Sequence, residues 1–316
     1  MLTRRLLLKG AAALGLSAFS LGAYAFGIEP RFRLDVTRYS LTPLGWPTGL
    51  QVRLAVVADL HASEPYMPPD RIIEIVERTN ALDADAILLL GDYVASHHFQ
   101  TRRLPAREWA GLLGGLRAPL GVHAVLGNHD WWDDHPAQRR GSGPVESRVE
   151  LERAGIPVYE NDAVRLAKGG RPFWLAGLGD QLAFVIRWRR RRPYARGVDD
   201  LAGTLAKVTD HAPVILMAHE PDIFPSVPPR VALTISGHTH GGQVRVLGYS
   251  PYVPSVYGNR YAYGHIVETG RDLIVSGGLG CSGLPVRFGV PPEIVLIEIG
   301  SATPSVAHPG VNHAGG

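Results

Sequence analysis

Five short stretches carry side chains that can bind a metal ion: Asp59 and His61 in ADLH, Asp92 in GDY, Asn128 in GNHD, His219 in AHE, and His238 and His240 in SGHTHGG. Asp59, His61, Asp92, Asn128, His219, His238 and His240 offer carboxylate or amide oxygen and imidazole nitrogen. That mixture suits borderline divalent ions such as Mn, Fe, Zn, Co or Ni. One ion takes roughly four to six ligands, so this donor set is generous for one ion and natural for two. Two ions in one site would share a bridging carboxylate and stand about 3.5–4 Å apart.

Taken singly, each residue has an ordinary explanation. An Asp after a strand caps a helix or starts a turn, and a lone His is more often a satisfied surface or core residue than a ligand. His97, His98, His123, His211 and His265 are read that way. The recurrence of D-x-H, G-D, G-N-H-D, H-E and G-H-T-H, each just past an apolar run, is what favours a shared site.

The apolar runs are the elements that must position these side chains. RLAVVADLH, DAILLLGDY, GVHAVLGNHD, PFWLAGLGD, PVILMAHEP, ALTISGHTHGG, DLIVSGGLG and PEIVLIEI read as strands buried on both faces. Helical patterns lie between the early runs: PPDRIIEIVERTNAL with Asp70 as N-cap, GPVESRVELERAG and VDDLAGTLAKVTD. Strand–helix alternation to about residue 220 predicts an α/β layered fold, and the later strands predict a second sheet. In open α/β sheets ligands collect at the carboxyl ends of strands. An extended segment would aim His238 and His240 to one side and Thr239 away, with Gly237, Gly241 and Gly242 clearing space for the backbone and a phosphate.

The ordered series Asp59-x-His61, Gly91-Asp92, Gly127-Asn128-His129-Asp130, His219 and Gly237-His238-Thr239-His240 resembles the calcineurin-like metallophosphoesterase superfamily. The resemblance implies a four-layered α/β/β/α sandwich of two mixed sheets flanked by helices. It also implies two divalent metal ions. Asp59, His61 and His240 would hold the first, Asp92 would bridge, and Asn128, His219 and His238 would hold the second. The expected activity is hydrolysis of a phosphodiester or phosphomonoester by a metal-activated hydroxide. His129 would be the catalytic residue outside the ligand set, protonating the leaving alkoxide or stabilising its charge. Asp130 would orient a neighbour or cap the following segment. GHTHGGQV and GLGCSGLPVRFGVPPEIVLIEI resemble the exported or membrane-associated bacterial branch, sometimes called YkuE-like.

Composition bounds the remaining possibilities. The 316 residues allow one large domain, placed at 50–300. A formal net charge of +3 gives no call for nucleic acid. A single cysteine, Cys281, excludes an intramolecular disulfide and a cysteine-based metal site, and reads as a small packing residue. The basic run RWRRRRPYAR, from Arg187 to Arg196, is read evenly as a solvated loop or as a surface for anionic lipid, cell-wall polymer or substrate. The segment PYVPSVYGNRYAYGH raises Tyr257, Asn259, Arg260 and Tyr261 as contacts to a leaving group.

Residues 1–26 combine Arg4-Arg5, an apolar stretch and the A-x-A spacing of Ala23 and Ala25. They resemble a twin-arginine export signal or an uncleaved membrane anchor, which places the domain in the periplasm or on the outer face of the cytoplasmic membrane. Residues 301–316 are polar and rich in Pro and Gly, and are expected to be a disordered tail. Two alternatives to a general phosphoesterase stand beside it. One is a lipid-precursor pyrophosphatase of the UDP-2,3-diacylglucosamine type. The other is a non-catalytic, metal-dependent protein that binds cell wall or phospholipid.

Overall fold

The alternation of side chains along each apolar run decides which of the hydrophobic cores it enters. The structure is a computed structural model and describes residues 4–95, 97, 99–189 and 192–300. The tail at 301–316, His98 and the centre of the basic run at 190–191 lie outside the described residues.

A helical segment leads the chain: α1 (Arg4–Ala23), a π-helical turn (Tyr24–Ile28) and α2 (Glu29–Phe32). Next come β1 (Asp35–Leu41), β2 (Val52–Val57), β3 (Ser63–Glu64), α3 (Pro69–Asn80), β4 (Ala86–Leu89), β5 (Arg102–Arg103), α4 (Ala106–Leu113) and β6 (Val122–Ala124). Three helices, α5 (Asn128–Trp132), α6 (His135–Arg140) and α7 (Glu146–Arg153), connect to β7 (Asp162–Lys168), β8 (Arg171–Gly177) and the hairpin of β9 (Phe184–Arg189) and β10 (Arg192–Arg196). The remainder is α8 (Leu201–Ala206), β11 (Val214–Met217), β12 (Val231–Ser236), β13 (Gly264–Glu268), β14 (Arg271–Val275) and β15 (Glu293–Ile299).

Two large mixed sheets result. The first has the order β1-β15-β2-β4-β6 and the second β13-β14-β12-β11-β8-β7. Facing residues alternate as the pleat requires. Leu54 and Val56 join Ile215, Met217, Leu233 and Ile235 in the core between the sheets. Ala55 and Val57 turn outward to Ile72, Ile75, Trp109 and Leu113 beneath α3 and α4, and Val214 and Leu216 turn to Phe224 and Val227 on the far side. The layers are thus helices, sheet, sheet and helical turns, as the resemblance implies.

Four details depart from expectation. The second sheet is entered at Asp162, well before residue 220, and β15 returns to the first sheet between β1 and β2. The first sheet also takes in β1, ahead of residue 50, through parallel pairing of Asp35–Leu41 with Glu293–Ile299. Pro68, not Asp70, occupies the N-cap of α3. Asp70 instead sits in the first turn, where its carboxylate complements the helix dipole.

Candidate metal centre

The strand ends of both sheets deliver the seven donors to one buried place. β2 leads to Asp59 and His61, β4 to Asp92, β11 to His219, and β12 to His238 and His240, while Asn128 opens α5 just after β6. All seven are buried. His61 Nε2 and His240 Nε2 stand 3.1 Å apart, and His240 Nε2 lies 3.8 Å from Asp59 Oδ1. Asp92 Oδ2 lies 3.6 Å from His61 Nε2 and 3.3 Å from His219 Nε2. His238 Nδ1 lies 2.8 Å from Asn128 Oδ1. Two groups therefore share Asp92: Asp59, His61, Asp92 and His240 form one, and Asp92, His219 and His238 the other, with donor atoms within 4.8 Å of one another in each.

The far side of three imidazoles fixes what the near side offers. His61 Nδ1 meets the Val94 carbonyl at 2.9 Å, His219 Nδ1 the Leu90 carbonyl at 2.6 Å, and His238 Nε2 the Pro254 carbonyl at 2.8 Å. A carbonyl only accepts, so each of these nitrogens carries a proton, and in the neutral ring the opposite nitrogen turns a lone pair inward. Lone pairs and carboxylates facing one another repel unless a cation or protons lie between them, so the donor set fits divalent metal. His240 differs, because its Nδ1 lies 3.2 Å from Nη2 of the buried Arg287.

The backbone that aims these side chains is not extended. Asp59, His61, Asp92, His238 and His240 have φ of 54°, 47°, 55°, 68° and 52°. Left-handed conformations are costly for residues with a Cβ and cluster where function demands a particular aim. His238 and His240 therefore converge through two left-handed residues, which corrects the expectation of an extended strand. Thr239 does point away, with its Oγ1 donating to the Ala262 carbonyl. The glycines clear space around the backbone, as expected. A Cβ on Gly237 would lie 2.6 Å from Asp59 Oδ2, one on Gly241 2.8 Å from Val290 Cγ1, and one on Gly242 2.5 Å from the Tyr252 carbonyl oxygen. They admit the Asp59 carboxylate and neighbouring loops.

Burial and mutual charge tune the set. Burial lowers His61 to about 3. Burial, aided by His219, lowers His238, and burial with His61 and Arg287 holds His240 well below its usual value. All three are neutral at neutral pH, and His61 and His238 present a lone pair to the cluster. Burial alone would raise Asp92, but His219 and His129 outweigh it and keep the carboxylate ionised. Burial opposes charging His219, and Asp92 prevails to hold its pKa well above the ordinary value. Burial, reinforced by Asp92 and offset by His219, raises Asp59 to about 7.

His129 stands beside the set without entering either ligand group. Its backbone N–H donates to Asp92 Oδ1 at 2.8 Å, and its ring centre lies 5.0 Å from that of His61. Nε2 lies 3.2 Å from Ser282 Oγ and Nδ1 3.7 Å from Asp133 Oδ2. Burial disfavours its protonation, yet Asp92 and Asp133 raise its pKa. It is placed to hold a proton at the edge of the cluster.

Asp130 performs both tasks open to it in sequence: its Oδ2 accepts from Asp92 N–H and from Gly127 N–H at the start of α5. Arg287 escaped sequence reasoning. It is fully buried, donates to the Gly280 and Val290 carbonyls, and nothing in VRFGV marks it out. Another buried carboxyl, Asp180, ends the run GLGD; burial and Glu220 raise its pKa well above the usual range. Among the other candidates, Asn259 bonds Ser250, Arg260 pairs with Glu268 and Tyr261 is buried beneath them. Their bonds run to Ser250 and Glu268 and not to the His/Asp cluster. Tyr257 is partly exposed, and Cys281 is buried as expected.

The sequence profile of the calcineurin-like phosphoesterases matches residues 52–242, a span that holds every donor of the cluster. Relatives extend the likeness beyond that span. The metallophosphoesterase YkuE of Bacillus subtilis (strain 168) is 29% identical over 95% of this chain and 98% of its own length. The phosphodiesterase YaeI of Escherichia coli (strain K12) is 28% identical over 95% of this chain and 100% of its own. A transmembrane protein with a metallophosphoesterase domain from Danio rerio is 28% identical over 79% of this chain and 54% of its own. The matched span and the converged His/Asp cluster agree: the chain belongs to the calcineurin-like phosphoesterase family and is a metal-dependent hydrolase of phosphoesters.

Proposed function

We propose that the chain is a dinuclear-metal phosphodiesterase held at the outer face of the cytoplasmic membrane by its N-terminal helix. The observation that carries the dinuclear reading is the position of Asp92, whose carboxylate belongs to both donor groups. Asp59, His61 and His240 would hold one ion, Asn128, His219 and His238 the other, with Asp92 between. Bound divalent ions supply Lewis-acid activation of water and neutralise phosphate charge. The Val94, Leu90 and Pro254 carbonyls keep three imidazoles in the binding tautomer. The His129 N–H fixes Asp92, and its ring is poised to donate a proton to the leaving oxygen. Phosphodiester is favoured over phosphomonoester by the name of the relative YaeI.

The N-terminal segment supports retention as an anchor. Residues Leu8–Phe32 are long and apolar enough to cross a bilayer. The A-x-A pair lies in continuous helix, and Ala25 is buried with its carbonyl accepting the Arg287 N–H at 2.9 Å. Buried Glu29 accepts the Val290 N–H. Cleavage after Ala25 would require that docked helix to unwind. The Arg4-Arg5 pair supports delivery by the twin-arginine route, which carries folded proteins. A cell-wall polymer remains a candidate partner through the basic hairpin of β9 and β10.

The test is turnover of bis-p-nitrophenyl phosphate by the full chain after chelation and after reloading with Mn²⁺, with metal content measured in parallel. Activity restored as occupancy approaches two ions per chain is expected. Full activity at one ion per chain would overturn the dinuclear reading, and hydrolysis indifferent to chelation would overturn the metal-dependent one.

A further inference from the structure

The loop between β12 and β13 holds the metal centre with its inner edge and bares apolar side chains on its outer edge. Inside, the Pro254 carbonyl meets His238 Nε2, Ser250 Oγ donates to the Gly241 carbonyl, and Val253 is buried. Outside, Val246, Leu247, Tyr249, Tyr252 and Val256 are exposed, Leu247 completely. Soluble surfaces seldom show so many large apolar groups in one short loop without a partner.

The tip of this loop is built rather than slack. Val246 and Tyr249 exchange backbone hydrogen bonds of 2.9 and 3.0 Å around Leu247 and Gly248. Both central residues have positive φ, 51° and 80°, the geometry of a two-residue hairpin turn that favours Asn-Gly or Asp-Gly. Leucine in the first position is unfavourable both for the backbone and for water. Its presence points to a binding role at the tip.

The same wall carries the root of the N-terminal helix. Val244 bridges to Phe288, whose ring meets that of Tyr24 edge-on at 6.4 Å, and Arg287 N–H bonds the Ala25 carbonyl. Leu284, whose carbonyl accepts from Gln243, is exposed beside it, and Phe26, Ile28 and Phe32 bare apolar groups on the helical root itself. No acidic residue occurs between Asp222 and Glu268, or between Asp272 and Glu293, so these two loops bring no carboxylate to repel anionic head groups. Leu284 lies two residues from Ser282, which touches His129.

We propose that this wall seats on the phospholipid bilayer beside the anchoring helix. The Val246–Tyr249 tip enters the interfacial region, the metal centre opens at head-group level, and the substrate is a phosphoester of a lipid that stays in the membrane. An apolar tip next to a spanning helix is held at the interface by continuity with that helix and by its own burial in the head-group boundary. The substrate class rests on the phosphodiesterase reading above; the seating of the wall does not.

The test uses the full chain in vesicles of phosphatidylcholine and phosphatidylglycerol. Leu247→Cys and, as control on α7, Val149→Cys are labelled with an environment-sensitive fluorophore; native Cys281 is buried. A blue-shifted emission at position 247, quenched by lipids carrying a quencher near the head group, is expected, with water-like emission at 149. Water-like emission at both positions would overturn the seating. So would a probe at 247 shielded without lipid in proportion to protein concentration, which would assign the wall to a second copy. For the substrate class, Leu247→Ser/Tyr249→Ser should lower hydrolysis of phosphatidylglycerol in the vesicles by on the order of tenfold. Its turnover of soluble bis-p-nitrophenyl phosphate should match the parent. Parent protein that cleaves the soluble diester but not a vesicle phospholipid would overturn the lipid assignment while leaving the phosphodiesterase reading intact. Absence of metal-dependent cleavage of the soluble diester would instead sink that underlying reading.

Discussion

Oδ2 of Asp130 accepts the backbone N–H groups of Asp92 and Gly127, each at 2.9 Å. Its other oxygen accepts from Tyr93 N–H and Ser147 Oγ. One buried carboxylate thereby ties the end of β4 to the start of α5, the two places that supply Asp92 and Asn128.

Asp130→Asn tests that tie. The amide nitrogen would turn donors toward donors on one side of the residue, loosening the loop that aims Asp92. Loss of a residue that orients a metal ligand typically costs about 10–100-fold in metal affinity. Calorimetric titration with Mn²⁺ should show a loss in that range, with both donor groups affected. Unchanged affinity would make Asp130 merely a helix cap.

His129→Gln separates proton transfer from metal binding. The backbone N–H that holds Asp92 survives the substitution, so metal content should be preserved. Removing a general acid lowers turnover by roughly 10²–10⁴-fold. The loss should fall on kcat and shrink for substrates with better leaving groups, which need less protonation. Equal losses for p-nitrophenyl and alkyl esters would contradict the assignment.

The strands and donors were legible because burial on both faces writes continuous apolar runs, and because a metal site must gather oxygen and nitrogen at strand ends. The angles that aim the donors were not. Left-handed φ at Asp59, His61 and Asp92 could not be read from residue type, since Asp and His favour that region more than most residues yet usually adopt ordinary angles. Arg287 was illegible for a related reason: its partners are backbone carbonyls, which carry no sequence signature. The parallel pairing of β1 with β15 joins segments more than 250 residues apart, and periodicity within either strand says nothing of its neighbour.

Metal uptake should weaken in acid. Burial raises Asp59 to about 7, and Asp92 raises His219 well above its ordinary value. Below pH 7 an incoming ion must displace the Asp59 proton, and it must displace that of His219 as well. Affinity should therefore fall by about tenfold per pH unit for each proton released. Above pH 7 Asp59 is already ionised and its share of the dependence fades. Mn²⁺ titrations between about pH 6 and pH 8, in buffers of different ionisation enthalpy, measure the protons released. A dissociation constant that does not move over that interval would contradict the charge assignment.

Two glycine substitutions should act in opposite directions. A Cβ on Gly127 would lie 2.4 Å from Asp92 Oδ1 and 2.6 Å from both Asp92 N and His219 Cε1. All three atoms are held by the site itself: Asp92 by the His129 N–H and Asp130, His219 by the Leu90 carbonyl. No flexible side chain is there to yield. Gly127→Ala should lower stability by about 1–3 kcal/mol, the usual range for overpacking, and it should displace the carboxylate common to both donor groups. Gly111 lies inside α4 with nothing beyond its own helix backbone and chain neighbours within 4 Å of its prospective Cβ. Gly111→Ala should add about 0.5–1 kcal/mol through helix propensity and leave metal content and turnover unchanged. Denaturant melts with parallel metal analysis distinguish the two. A Gly127→Ala protein that retains full metal content would show that the close approach of α5 to Asp92 is dispensable.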